Sequence, residues 1–119
     1  MRYIYYLLTL TLIIGCKPTT DKQVTYFGGQ IINPKASHVL LLKDDEVIEK
    51  IELDNNSKFI KEFESFDEGL YTFKHANEFQ YIYIEPTDSI LVRLNTWDFD
   101  ESLVFSGNGA AKNEYLINL

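Results

Sequence analysis

From residue 24 onward, apolar and polar positions alternate with a period of two, and turn-forming residues interrupt the alternation at roughly 8–12-residue intervals. In the first run, 24–32, Phe27, Gly29 and Ile31 fall on one face and Val24, Tyr26, Gly28, Gln30 and Ile32 on the other, before Asn33-Pro34 stops it. Gly28-Gly29 inside the run signals a bulge, a close backbone approach or simply a weak strand interior. Residues 38–43 hold the unbroken apolar stretch Val39-Leu40-Leu41-Leu42 and read as a strand buried on both faces. Asp44-Asp45 turns the chain into 47–53, with Val47, Ile51 and Leu53 expected inward. Asp54-Asn55-Asn56-Ser57 is a dense turn, because Asn and Asp side chains bond their own backbone and tolerate left-handed angles. Strand 59–64 and the turn Asp67-Glu68-Gly69 follow, then strands 70–75 and 79–85, where Tyr71 and Phe73 alternate with Thr72 and Lys74, and Ile82 and Ile84 with Tyr81 and Tyr83.

Glu85-Pro86-Thr87-Asp88 places proline at the second position of a tight turn, so 79–85 and 89–95 are expected to pair as a hairpin. Residues 96–101 read as a polar-aromatic connection and 103–105 as a last strand. Residues 110–119 read as a helix, from Ala110, Ala111 and the spacing Ala111, Tyr115, Leu119. This pattern predicts an all-β fold, an antiparallel β-sandwich of seven or eight strands with a short C-terminal helix. Its expected core contains Phe27, Ile31, Leu41, Ile51, Phe59, Phe73, Ile82, Ile84, Val92 and Phe105.

The chain has room for a single domain of this kind and no internal repeat. Its formal charge of −7 argues against nucleic acid or an anionic membrane surface as a partner. One cysteine, Cys16, excludes an intramolecular disulfide and a Cys-x-x-Cys pair, so stability must come from packing. An aromatic content of 14% suits that demand.

Ahead of the alternating part, Met1-Arg2 supplies a positive start and residues 4–14 a short apolar run, too short to span a bilayer, which needs about 20 apolar residues. Ile13-Ile14-Gly15-Cys16 closes it in a way that resembles the lipobox of bacterial lipoproteins. The resemblance implies a signal peptide over 1–15, acylation of Cys16 as the first mature residue, and membrane contact through that lipid. Loss of Arg2 would shift the formal charge to −8. The polar stretch 16–23, with Pro18, then reads as a tether, 24–106 as the β-domain and 107–119 as the start of a helical linker.

Few residues suggest chemistry. Asp98, Asp100 and Glu101 gather oxygen ligands, but the glycine and the distant closing glutamate of a calcium loop are missing, so the segment reads as a solvated acidic loop. Trp97 reads as the plug at the end of the sandwich core or as an exposed recognition aromatic. His38 and His75 lack a partner at ligand spacing, which argues against zinc and places both at strand ends on the surface. Tyr81 and Tyr83, with Tyr71 on the neighbouring strand, either form a platform for a sugar or peptide or pack one sheet face. No Gly-x-Ser-x-Gly elbow or phosphate loop occurs, and no metal or cofactor is implied; the expectation is a non-catalytic domain.

The segment Phe105-Ser106-Gly107-Asn108-Gly109-Ala110-Ala111-Lys112-Asn113-Glu114-Tyr115-Leu116 joins the last strand to the helix through a Ser-Gly-x-Gly-Ala-type junction and Asn-x-Tyr-Leu. It resembles the domain of unknown function at the N-terminus of thioredoxin-like lipoproteins of Bacteroidota. That resemblance implies an accessory β-domain between a lipid anchor and a helical linker, often followed by a thioredoxin-like domain whose active cysteines have no counterpart here. The alternative is a stand-alone periplasmic or surface lipoprotein that binds a sugar or peptide through Tyr81, Tyr83 and Trp97. Lys17-Pro18-Thr19-Thr20 lacks the acidic residues that mark surface lipoproteins of that lineage, which favours a periplasm-facing anchor in the outer membrane. No cap closes the final helix, so Tyr115, Leu116 and Leu119 are expected to meet further chain or a protein partner.

Overall fold

The computed structural model describes residues 23–119; the signal run 1–15, Cys16 and nearly all of the tether 16–23 lie outside the described residues. Eight strands form: β1 Thr25–Ile32, β2 His38–Lys43, β3 Glu46–Glu52, β4 Lys58–Phe63, β5 Gly69–His75, β6 Glu78–Ile84, β7 Ser89–Asn95 and β8 Val104–Asn108. A 3-10 turn Thr96–Asp98 and a short helix α1, Phe99–Ser102, intervene between β7 and β8, and helix α2, Ala110–Ile117, follows β8. The strands make two four-stranded sheets, ordered β4-β1-β7-β8 and β3-β2-β5-β6, which face each other as a sandwich.

Alternation explains the core directly. All ten residues expected inside are buried, and Val39, Tyr71, Ile90, Leu94, Phe99 and Leu103 join them. At the centre the Phe27 ring of one sheet lies 6.0 Å from Phe73 of the other and 5.4 Å, edge to face, from Phe59 beside it. β1 and β7 run parallel at the middle of their sheet, with Phe27 beside Ile90 and Ile31 beside Leu94. That pair closes because Gly29 has no side chain; a Cβ there would sit 1.9 Å from the Val92 carbonyl oxygen.

The local turns follow their residues. Asp44 and Asp45 both adopt positive φ, 51° and 64°, as the two-residue hairpin β2–β3 requires. Asp54 Oδ1 accepts from the N–H groups of Asn56 and Lys58 at 2.8 and 2.9 Å, which shapes the passage from β3 to β4.

Four expectations fail for identifiable reasons. Strands β6 and β7 do not pair. Glu85-Pro86-Thr87-Asp88 does form a tight turn, with Asp88 N–H on Glu85 O at 3.1 Å, but it carries the chain from one sheet to the other. Turn chemistry fixes a reversal locally and leaves open which sheet the next strand joins. Val47 points outward, 54% exposed, because the β2–β3 register slips between Leu41 and Leu42: Glu49 faces Leu41, Val47 faces Leu42, and the intervening Ile48 shifts the alternation. β2 is fully buried on one face only, at Val39 and Leu41, since Leu40 and Leu42 alternate onto the outer face, away from the other sheet. Trp97 is 74% exposed; the end of the core is filled instead by Phe99 and Leu103, which the unforeseen α1 turns inward.

Truncating Ile82 to alanine at this central, fully buried site should lower unfolding free energy by about 2–5 kcal/mol, whereas Val47→Ala should change it by less than about 0.5 kcal/mol. Chemical denaturation of both variants checks the assignment of faces; equal losses would contradict it.

Candidate functional site

The predicted aromatic residues are placed unequally. Tyr81 is exposed and Tyr83 half-buried on the outer face of β6, while Tyr71 points into the core on the opposite face and cannot join them. Phe79 takes its place, with its ring 5.8 Å from Tyr81 in an edge-to-face contact. Among the described residues no ring contact links Trp97 to this pair. Across the sheet, Tyr81 lies opposite Thr72 and Thr72 opposite Leu42, with Val47 beyond. The outer face therefore presents a row of apolar and uncharged side chains.

A second arrangement lies at the Ser106-Gly107-Asn108-Gly109 junction. Gly109 adopts φ +104° and packs against the Asp88 carboxylate, where a Cβ would come within 2.7 Å, so this position requires glycine. The turn into α2 brings Lys112 onto Asp88 in an ion pair, with Glu85 at 3.8 Å, and Asp88 also accepts from Glu85 N–H at 2.8 Å. One turn on, Asn113 is fully enclosed at 0% exposure. Its Oδ1 accepts from Tyr83 N–H at 2.7 Å, and its Nδ2 donates to Tyr83 O at 2.9 Å and Gly109 O at 3.0 Å. The amide thus treats the edge of β6 as a neighbouring strand would. It ties α2, which follows one sheet, to the edge strand of the other.

The docked stripe of α2 is Ala110, Asn113 and Ile117. The spacing Ala111, Tyr115, Leu119 lies on the exposed side, with Tyr115 71% and Leu119 85% exposed; Leu116 is half-buried. The spacing indicated the helix but not its docked face, because the residue that fixes it is polar and its partner, Tyr83, lies thirty residues away.

His75 is buried, contrary to the surface position expected of it. Its Nε2 accepts from Lys35 N–H at 2.9 Å, so the ring proton sits on Nδ1, which donates to His38 O at 3.0 Å. It pins the connection between β1 and β2. Burial holds its pKa below the ordinary imidazole range. Asp98, Asp100 and Glu101 are exposed around α1, and among the described residues no three His, Cys, Asp or Glu side chains converge as a metal site.

An open groove of 590 Å³ lies on the outer face of the β4-β1-β7-β8 sheet, which sequence reasoning did not find. Ile60, Gly28, Leu91 and Ser106 lie in register across it, followed by Lys58, Gln30, Arg93 and Val104. Gly28 itself is overlain by Ile60, whose Cδ1 would lie 2.6 Å from a Cβ there, and the groove opens beside it over Gly29 and Gln30. The adjacent glycines were its one trace in the sequence.

No family model matches the chain, and no curated protein or solved structure matches it. Among the described residues no helix is long and apolar enough to cross a membrane.

Asn113→Ala strands the Tyr83 N–H and carbonyl in a buried place and should reduce stability by about 2–4 kcal/mol, read by denaturant unfolding, with Asn113→Asp also destabilised because it loses both donors. For His75, the unfolded chain takes up its proton first as pH falls. Its contribution is therefore complete above the unfolded value of about 6.5 and is lost as pH drops through the depressed folded value. The wild-type melting temperature should decline more steeply than that of His75→Gln from about pH 7 to about pH 5, with an excess slope of at most about 1.4 kcal/mol per pH unit. Parallel thermal scans measure the difference, and identical slopes would contradict the assignment.

Proposed function

We propose that this chain is a lipid-anchored cell-envelope lipoprotein whose β-domain is a non-catalytic accessory or docking module, held through Cys16 to the periplasmic face of the outer membrane. The observation that supports docking is the way α2 is held. Asn113 and the Asp88–Lys112 pair secure one side of the helix to the sandwich, while Tyr115 and Leu119 turn outward as an unsatisfied apolar face. A helix this short gains its stability from packing, so the clasp is what allows it to present those residues to a linker or partner. The junction's resemblance to thioredoxin-like lipoproteins suggests that the partner is a following redox domain. The anchor is argued from the apolar run, Gly15 and Cys16, and two or more acyl chains would be needed, since one chain binds a membrane only marginally.

The groove over Gly29 and Gln30 favours a second reading, a binding lipoprotein that takes a sugar or peptide, although on a different surface from the one formed by Tyr81 and Tyr83.

Expression of the full chain with an alkyne fatty acid tests the anchor. The wild type should carry the label and stay with membranes after a high-salt wash, and Cys16→Ser should be unlabelled and leave them. Retention of Cys16→Ser in the washed membranes would overturn the anchor.

A further inference from the structure

The four edges of the sandwich are not protected alike. β3 carries Glu46, Glu49, Lys50 and Glu52, and β4 carries Lys58, Lys61 and Glu62, charges that discourage another strand from adding. β8 is only five residues long and ends through Gly107, at φ +87°, as the chain enters α2. β6 has no charge between Glu78 and Glu85, and it exposes Phe79 and Tyr81. Asn113 caps this edge at Tyr83, and between Tyr83 and Glu78 no charge discourages another strand.

The direction of its free backbone groups follows from Tyr83. Because the Asn113 amide takes both the N–H and the carbonyl of Tyr83, these groups point away from β5, toward the open edge. Alternation along the strand aims the N–H and carbonyl groups of Tyr81 and Phe79 the same way. Accordingly the Tyr81 N–H meets only the Gln80 side chain, at 2.9 Å. Asn113 fills the ladder position at Tyr83, and the two beyond it stand open.

We propose that these positions pair with β6 of a second copy of this chain, running antiparallel about a twofold axis through Gln80. The register is determined by what is free. Tyr83 is closed, so a pairing that uses every open group sets Phe79 of one copy opposite Tyr81 of the other, each pair exchanging both of its hydrogen bonds. A shift by one residue would oppose groups that point back into their own sheet; a shift by two toward Tyr83 would have to evict Asn113, and a shift by two the other way would set Tyr81 opposite Asn77, outside the strand. In this register the Phe79 and Tyr81 rings of both copies meet on the outer face, and each Glu78 faces Ile82, so no like charges stand opposite each other. The Gln80 side chain releases the Tyr81 N–H, which the Phe79 carbonyl of the other copy then receives. The two β3-β2-β5-β6 sheets become one continuous sheet.

Cysteine cross-linking tests the pairing. Gln80 would meet Gln80 at a non-hydrogen-bonded position with Cα atoms roughly 4.5 Å apart, within disulfide reach. In the full chain, mildly oxidised in native lysate, Gln80→Cys should give a band at twice the chain mass roughly tenfold faster than Ile60→Cys, an exposed control on the other sheet. Adding Phe79→Lys should return the rate to that of the control. Equal rates for Gln80→Cys and Ile60→Cys overturn the proposal, and so does a cross-linked band of any other mass, which would assign the edge to a different protein. Should Gln80→Cys fail to accumulate, sedimentation of the unaltered chain in mild detergent decides. A mass that rises to twice that of the chain with concentration, and that Phe79→Lys abolishes, supports the pairing; a monomer at every concentration overturns it.

Discussion

The contact on which this structure depends is the meeting of Phe27 and Phe73 between the two sheets, extended on either side by Phe59 and Phe99. Fully burying a phenylalanine side chain contributes about 1.5–3 kcal/mol, and this chain has no cysteine pair to supplement such packing. The arrangement constrains everything around it. β1 must lie central in its sheet to put Phe27 in the middle, and Gly29 must lack a side chain for β7 to run alongside. The passage Glu85–Asp88 must then cross between layers, because β6 and β7 contribute inward residues to opposite walls of the same core.

Polar interactions decide how that packed body ends. Asp88, Gly109, Lys112 and Asn113 form one connected set: the glycine makes room for the carboxylate, the carboxylate takes the lysine, and the next residue's amide reaches the edge of β6. Asp88 is satisfied by Lys112 and the Glu85 N–H, and Asn113 by Tyr83 and Gly109, and no buried side-chain nitrogen or oxygen among the described residues is left without a partner. What the clasp holds still, it also presents. Tyr115 projects from a fixed helix and Leu119 from just beyond its end, and Phe79 and Tyr81 from an edge whose next ladder position is already occupied.

The strands and the core were legible because a half-covered sheet leaves period-two alternation in its sequence, and Phe27, Ile51, Ile82 and Phe105 each sit where that alternation puts them. The faces of Val47 and Ile48 were not legible, since a one-residue bulge leaves no compositional mark. Nor was the separation of β6 from β7, because Pro86 fixes a turn and not the sheet that follows it. The polar residues that matter most were the least visible. Asn113 and His75 look like surface residues in sequence, and only partners 30 and 40 residues away, Tyr83 and Lys35, make them interior. The Ser-Gly-Asn-Gly-Ala junction has a physical content that its letters do not carry, a backbone path that only glycine at Gly109 permits beside Asp88.

The claim that joins fold to function is that α2 is an integral part of the sandwich, fixed to the β6 edge by one side-chain amide. Amide hydrogen exchange of the folded chain, resolved residue by residue, measures this most directly. The account predicts that the Tyr83 N–H, bonded to Asn113 Oδ1, exchanges as slowly as amides in the central strands β1 and β5, and that Asn113→Ala accelerates it selectively. Rapid exchange at Tyr83 in the unaltered protein, at the rate of an open strand edge, would contradict it.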